Sequence, residues 1–139
     1  DGLWSRSSSK EDIKPVKELR LAKVYEAAQH VKGTKQSSLL YEAAIIERTL
    51  GNTDNAAATI TAALVANPNN FQMRLVHIDL ALASGDTTTA KKEIDWCLLR
   101  RPDSQKLQGR IQRLKQLRIE QASMPTALNK SVGTPGARR

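Results

Sequence analysis

The chain has 139 residues, of which 40% are hydrophobic and only 4% aromatic, and its formal net charge is +8. This length fits one domain with a real core, and the scarcity of aromatic residues favours closely packed helices over β-structure. No apolar run approaches the roughly 20 residues that span a membrane, and the single cysteine excludes an intramolecular disulfide framework.

The two ends of the chain lack periodicity. Residues 1–10 and 122–139 are rich in Ser, Thr, Gly and Pro, which predicts flexible tails. Trp4 has three interpretations: an exposed aromatic residue, a residue that folds back on the first helix, or the remnant of a membrane-proximal anchor. The sequence does not determine the compartment: the cytoplasm is slightly favoured, and the alternative is a bacterial periplasm or cell envelope, reached after removal of a signal or anchor.

The first periodic segment covers residues 11–32. Leu21, Tyr25 and Ala28 recur at helical spacing, and Gly33 follows as a stop signal. Pro15 suits only the opening turn of such a helix.

Two units of 34 residues follow, at 37–70 and 71–104. The matched pairs are Gly51 and Gly85, Ala56 and Ala90, Ile60 and Ile94, Ala63 and Cys97, Leu64 and Leu98, and Pro68 and Pro102. Each glycine permits a left-handed turn between two helices, and each small residue lets two backbones approach closely. The pattern predicts helices over 37–50, 54–66, 71–84 and 87–100.

A terminal helix is predicted over residues 104–121. Leu107, Ile111, Leu114 and Leu117 fall on one face, with basic residues elsewhere. A helix with a polar outer face is what a stack of repeats needs to cover its last apolar surface.

These residues resemble the tetratricopeptide repeat (TPR) family, whose 34-residue units each form two helices. The first unit supplies Gly51, Ala56, Ile60, Ala63 and Pro68 at the family's positions, and the second supplies Gly85, Ala90, Ile94, Cys97 and Pro102. Leu21, Tyr25 and Ala28 match Ala56, Ile60 and Ala63 at an offset of 35 residues. The resemblance implies an all-α, right-handed solenoid over residues 11–121, with a degenerate helix before the repeats and a capping helix after them.

No motif for catalysis or for cofactor binding is found. His30 and His77 fall on different predicted helices without metal-ligand spacing, and Cys97 replaces a small core residue. Four acidic residues are expected at helix surfaces and helix starts: Asp79, Asp86, Glu93 and Asp95. We therefore expect a protein that is not an enzyme and has no metal or cofactor.

The resemblance also implies a concave groove, lined by the first helix of each unit, that grips a peptide or an amphipathic helix of a partner. The groove residues are Tyr41, Ile45, Arg48, Gln72, Leu75, Val76, Asp79, Leu82, Lys106, Arg110 and Arg113. This groove would be apolar in its middle and basic at one end, which suits an acidic flank on the partner. The alternative is that Leu75 and Val76 only pack on neighbouring helices. A clamp for chaperone tails is disfavoured, because Tyr41, Ile45 and Val76 replace its polar residues.

The basic end of the chain leaves a second function open. Residues 100–139 hold ten basic and two acidic residues, whereas residues 37–99 hold four basic and seven acidic ones. The terminal helix could be a solvated cap, meet an acidic protein surface, or bind nucleic acid or an anionic membrane. We expect a scaffold, adaptor or assembly factor, with nucleic-acid or membrane-surface binding as the alternative and self-association as a third hypothesis.

Overall fold

The computed structural model describes residues 10–124, and these residues form six α-helices without any strand. The expectation of an all-α fold is therefore confirmed for this part of the chain. The helices are α1 (Lys10–Ala28), α2 (Gly33–Thr49), α3 (Thr53–Ala66), α4 (Phe71–Ala83), α5 (Thr87–Arg100) and α6 (Gln105–Ala122). The predicted tails lie outside residues 10–124 except at their inner ends, and Trp4 lies outside them as well.

The break between the first two helices comes earlier than the sequence predicts. Helix α1 ends at Ala28, not at residue 32, and α2 begins at Gly33, not at residue 37. The side chain of Gln36 donates a hydrogen bond to the carbonyl of Ala28 at 3.0 Å. This bond satisfies a carbonyl at the end of α1, so the chain can leave the helix one turn sooner.

The turns after α2 and α4 are built alike. Gly51 and Gly85 adopt positive φ angles of 85° and 77°. After Gly51, the amide of Asn52 donates to the carbonyl of Glu47 at 2.9 Å. After Gly85, the amide of Asp86 donates to the carbonyl of Ala81 at 2.8 Å. Both turns are Schellman motifs, in which a glycine takes the left-handed conformation that closes a helix. The glycines predicted to separate the helices do so at both places.

Packing runs mainly between helices that are adjacent in the sequence, and α6 also contacts α4. The N-terminal core cluster contains Val24, Ala43 and Ile46. The middle core cluster contains Ala44, Ala56, Ile60, Ala63, Leu64, Met73, Val76 and Leu80. The C-terminal core cluster contains Leu75, Ile78, Ala81, Leu82, Ala90, Ile94, Cys97, Leu107, Leu114 and Leu117.

The small residues of the repeat lie where helices meet most closely. Ala56, Ala63, Ala90 and Cys97 are all completely buried. A larger side chain at these places would force the helices apart, since protein cores are close-packed. Among the described residues, no helix is long and apolar enough to cross a membrane.

Candidate functional site

A basic cleft of about 580 Å³ lies where α2, α4 and α6 come together. Its lining residues are Arg48 from α2, Asp79, Leu82 and Ala83 from α4, and Gln105, Lys106, Gly109, Arg110 and Arg113 from α6. Four of these side chains are cations and one is a carboxylate. The cleft is therefore suited to bind an anionic group by ion pairs and hydrogen bonds.

Local helix geometry places these side chains together. Helix α4 starts after Asn70, whose side chain accepts a hydrogen bond from the amide of Met73 at 2.9 Å. Helix α6 starts after Ser104, whose hydroxyl accepts from the amide of Lys106 at 3.2 Å. From these fixed starts, Lys106, Arg110 and Arg113 follow at spacings of four and three residues and share one face of α6.

The centre of the basic cleft is an ion pair between α4 and α6. Arg110 donates from Nε to Oδ1 of Asp79 at 2.7 Å and from Nη2 to Oδ2 at 2.8 Å. Arg48 approaches the same carboxylate at 4.0 Å, and its side chain remains 46% exposed. Arg113 lies 3.8 Å from Glu120, so two carboxylates offset the four cations and the cleft keeps an excess of positive charge.

Gly109 leaves the basic cleft open. No atom lies within 4 Å of the place where a Cβ of this residue would stand. Ala83 is exposed and contributes apolar surface beside the charged groups, whereas Leu82 is only 6% exposed and packs in the C-terminal core cluster. A ligand with an acidic group next to an apolar one would match both parts of the lining.

Six of the predicted groove residues line this cleft: Arg48, Asp79, Leu82, Lys106, Arg110 and Arg113. Leu75 and Val76 require a correction, because they are only 1% and 3% exposed and belong to the core clusters. A groove with these side chains in its middle does not exist, and the packing alternative describes both residues. Glutamate at position 75 would therefore unfold the protein instead of probing a binding surface.

The other predicted groove residues do not line the basic cleft. Tyr41 and Ile45 are half-buried and pack against the middle core cluster. Gln72 is exposed near the start of α4. The structure thus moves the candidate site toward α6, at the basic end of the predicted groove.

Glu93 is expected at a helix surface from the sequence, and this expectation is wrong. Its side chain is buried between α4 and α5, where it accepts from Arg74 Nη1 at 2.8 Å and lies 2.5 Å from His77 Nδ1. Burial alone would raise the pKa of Glu93, but the hydrogen bonds from His77 and Arg74 lower the pKa below its ordinary value. A signal was present, since Glu93 falls on the helical face marked by Ala90 and Cys97.

A second polar contact ties α1 to α2 and α3. The hydroxyl of Tyr25 donates to Oε2 of Glu47 at 2.6 Å and lies 2.6 Å from the hydroxyl of Thr59. Burial, and then the hydrogen bond to Glu47, raise the pKa of Tyr25. Glu47 and Glu93 each join two or more helices, so we assign both to structure and not to a site.

The remaining chemical candidates are isolated from one another. Burial raises the pKa of the Cys97 thiol to about 11, far from the range of a reactive thiolate. His30 is exposed and contacts Glu26 one turn away on α1. Within residues 10–124, no group of three or more His, Cys, Asp or Glu residues could hold a metal ion.

Comparison with known proteins adds no family to this description. A scan against family models, a search of curated proteins and a search of solved structures each returned no match.

Proposed function

We propose that this chain is a non-enzymatic protein-interaction module of the TPR-like solenoid type, and that its basic cleft binds an acidic segment of a partner protein. The stacking of helices in a solenoid is supported by helices that pack mainly on their sequence neighbours and by the two matching glycine turns. Such stacks present surfaces for partners, and the fold alone does not name the partner.

The observation that carries the proposal is the charge excess of the basic cleft. Four cations, Arg48, Lys106, Arg110 and Arg113, line the cleft together with one carboxylate, that of Asp79. An acidic segment would be drawn to these cations, and its apolar side chain would cover Ala83, which is exposed. Electrostatic steering of this kind increases the association rate and selects partners of opposite charge.

The proposal is tested with an acidic peptide of about ten residues that contains glutamates and one leucine, and with its lysine counterpart. We expect fluorescence anisotropy to show binding of the acidic peptide and no binding of the lysine peptide. The affinity for the acidic peptide should fall as the salt concentration rises. Arg113→Glu should weaken binding about tenfold, since it reverses one charge in the lining.

A matched control is Lys92→Glu, which reverses an exposed charge on α5 outside the cleft. This variant should bind the peptide as the original chain does, apart from a small effect of net charge. Equal weakening by Lys92→Glu and Arg113→Glu would contradict a specific site and would leave only general attraction to a basic protein.

The alternative function uses α6 as a basic surface for nucleic acid or an anionic membrane. Lys115 and Arg118 are exposed on this helix and do not line the cleft, which favours a surface larger than the cleft itself. The test uses a double variant, Lys115→Glu with Arg118→Glu, and two probes, a short DNA duplex and phosphatidylserine vesicles. The alternative is supported if the original chain binds either probe, the double variant does not, and both bind the acidic peptide equally well.

A further inference from the structure

A second groove, of about 440 Å³, lies between α1 and α2. We call it the N-terminal groove. Val16, Leu19 and Ala27 of α1 and Leu39 of α2 provide its apolar lining, and Arg20 and Lys23 stand beside them. The lining shares no residue with the basic cleft, so a ligand here would be a separate one.

The apolar residues of α1 are unusually exposed for a packed helix. Val16 is 67% and Leu19 is 59% exposed, and Ile13 precedes them on the same stripe at 38%. Helix α6, at the other end of the stack, instead buries Leu107 and Leu114 in the C-terminal core cluster. Helix α6 also leaves Ile119 62% exposed, but Val16 and Leu19 of α1 lie together in the lining of one groove, as apolar residues of interaction surfaces do.

The chain itself shows what kind of element fits this groove. Helix α1 carries the residue pattern of a second helix of a unit, and α2 carries that of the next first helix. At the other end of the stack, α5 and α6 are a second helix and the helix that follows it, as α1 and α2 are here. The groove between α5 and α6 is filled by α4, which contacts both of them. Leu75, Ile78 and Leu82 of α4 enter the C-terminal core cluster there. A helix with apolar residues at i, i+3 and i+7 would fill the N-terminal groove in the same way.

Charge restricts this helix further. The lining of the groove holds two cations, Arg20 and Lys23, and one acid, Glu42. Glu42, the one acid of the groove lining, is engaged by Arg20. We propose that the N-terminal groove binds an amphipathic helix of a partner protein that has apolar residues at i, i+3 and i+7 and acidic residues flanking them.

The probe is a fluorescein-labelled helical peptide of about 15 residues with leucines at that spacing and glutamates on the flanks. Its counterpart has lysines in place of the glutamates. We expect the full chain to bind the glutamate peptide, and Leu19→Glu to weaken this binding about tenfold or more. Leu19 is already exposed, so this variant should keep its fold, which circular dichroism checks. Val65→Glu changes a side chain that is 80% exposed outside the groove and is the control.

Charge reversal at Lys23 separates this proposal from nonspecific apolar binding. Lys23→Glu should weaken binding of the glutamate peptide and strengthen that of the lysine peptide. Because the basic cleft also attracts glutamates, both peptides are measured in an Arg113→Glu background as well, where the binding that depends on Leu19 and Lys23 should remain. Loss of glutamate-peptide binding in Arg113→Glu would assign the peptide to that cleft and overturn the proposal. Unchanged binding in Leu19→Glu would overturn it equally.

Two other occupants of the N-terminal groove have their own signatures. A dimer in sedimentation velocity that Leu19→Glu dissociates would show that a second copy covers the groove. Trp96→Phe leaves Trp4 as the one tryptophan of the chain. If adding Leu19→Glu to this variant changes the fluorescence emission of Trp4, residues 1–9 cover the groove. Either result would overturn the assignment to a partner helix.

Discussion

The carboxylate of Glu93 on α5 lies 2.5 Å from the imidazole Nδ1 of His77 on α4 and also accepts from Arg74 at 2.8 Å. Arg74 in turn donates to the carbonyl of Pro68 and lies over the ring of Trp96, 4.4 Å from its centre. The buried carboxylate thus links the two helices of the second unit to the loop before them. Breaking a buried ion pair on one side is costly, because the partner charge is left uncompensated.

Acid should destabilise the protein through Glu93. Folding lowers the pKa of Glu93 below its ordinary value of 4.5, so the unfolded chain binds its proton first as pH falls. The contribution to stability is therefore present above pH 4.5 and is lost as pH falls through the lowered value of the folded state. Urea unfolding between pH 7 and pH 3 measures this loss, and Glu93→Gln should flatten it.

At pH 7, Glu93→Gln should lower the free energy of unfolding by about 2–3 kcal/mol, as expected for a buried hydrogen-bonded charge. The control is Asp95→Asn, since Asp95 is exposed on the same helix and pairs with Lys91 one turn away. Its effect should stay within about 0.5 kcal/mol. Equal losses in both variants would refute a special role for the buried carboxylate.

The glycine turn after α2 makes a second prediction. Gly51 has a φ of 85°, and no atom lies within 4 Å of the place where its Cβ would stand, so Gly51→Ala adds backbone strain without a clash. The free energy of unfolding should fall by about 1–2 kcal/mol. Gly109→Ala, inside α6 and equally uncrowded, should raise it by about 0.5–1 kcal/mol. Thermal unfolding of both variants measures these effects. If Gly51→Ala and Gly109→Ala shift the stability in the same direction, this explanation is contradicted.

Sequence reasoning succeeded where a local rule determines the structure. Gly51 and Gly85 were predicted to separate helices because a left-handed turn needs glycine, and both adopt that turn. Ala56 and Ala90 were predicted at close helix contacts because only small residues fit there, and both are fully buried. In each case the size or backbone freedom of the residue itself restricts what can stand there, and the 34-residue repeat marks the position twice.

It failed where distant partners decide the outcome. Glu93 is buried because Arg74, 19 residues away, compensates its charge, and because its other carboxylate oxygen contacts His77, 16 residues away. The residues around Glu93 in the sequence do not predict which side chains of another helix will contact it. Leu75 and Val76 were predicted in the groove by analogy of position, yet each enters a different core cluster. The basic half of the site was predictable, since Lys106, Arg110 and Arg113 share a helical face whatever the neighbouring helices do.

Close approach of helices at Ala63 gives a third prediction. Ala63 is fully buried, and its carbonyl accepts a hydrogen bond from the hydroxyl of Ser37 at 2.8 Å. Ala63→Leu should destabilise the protein by about 1–3 kcal/mol, because the larger side chain must push α2 away. Ala62→Leu, at the exposed neighbouring position, is the control and should be nearly neutral. Equal stability of the two variants in urea unfolding would show that the contact is not tight.

The buried thiol of Cys97 gives the fourth prediction. Burial raises its pKa to about 11, so at pH 8 almost no thiolate is present and reagents cannot reach the sulfur. Labelling by iodoacetamide should be at least about a hundredfold slower in the folded protein than in urea, since the reaction then requires opening of the α4–α5 contact. Mass spectrometry follows the labelled fraction over time. Glu93→Gln should accelerate labelling, because it weakens the same contact, whereas Asp95→Asn should not. Rapid labelling of the folded original chain would contradict the packing of this residue as a small core side chain.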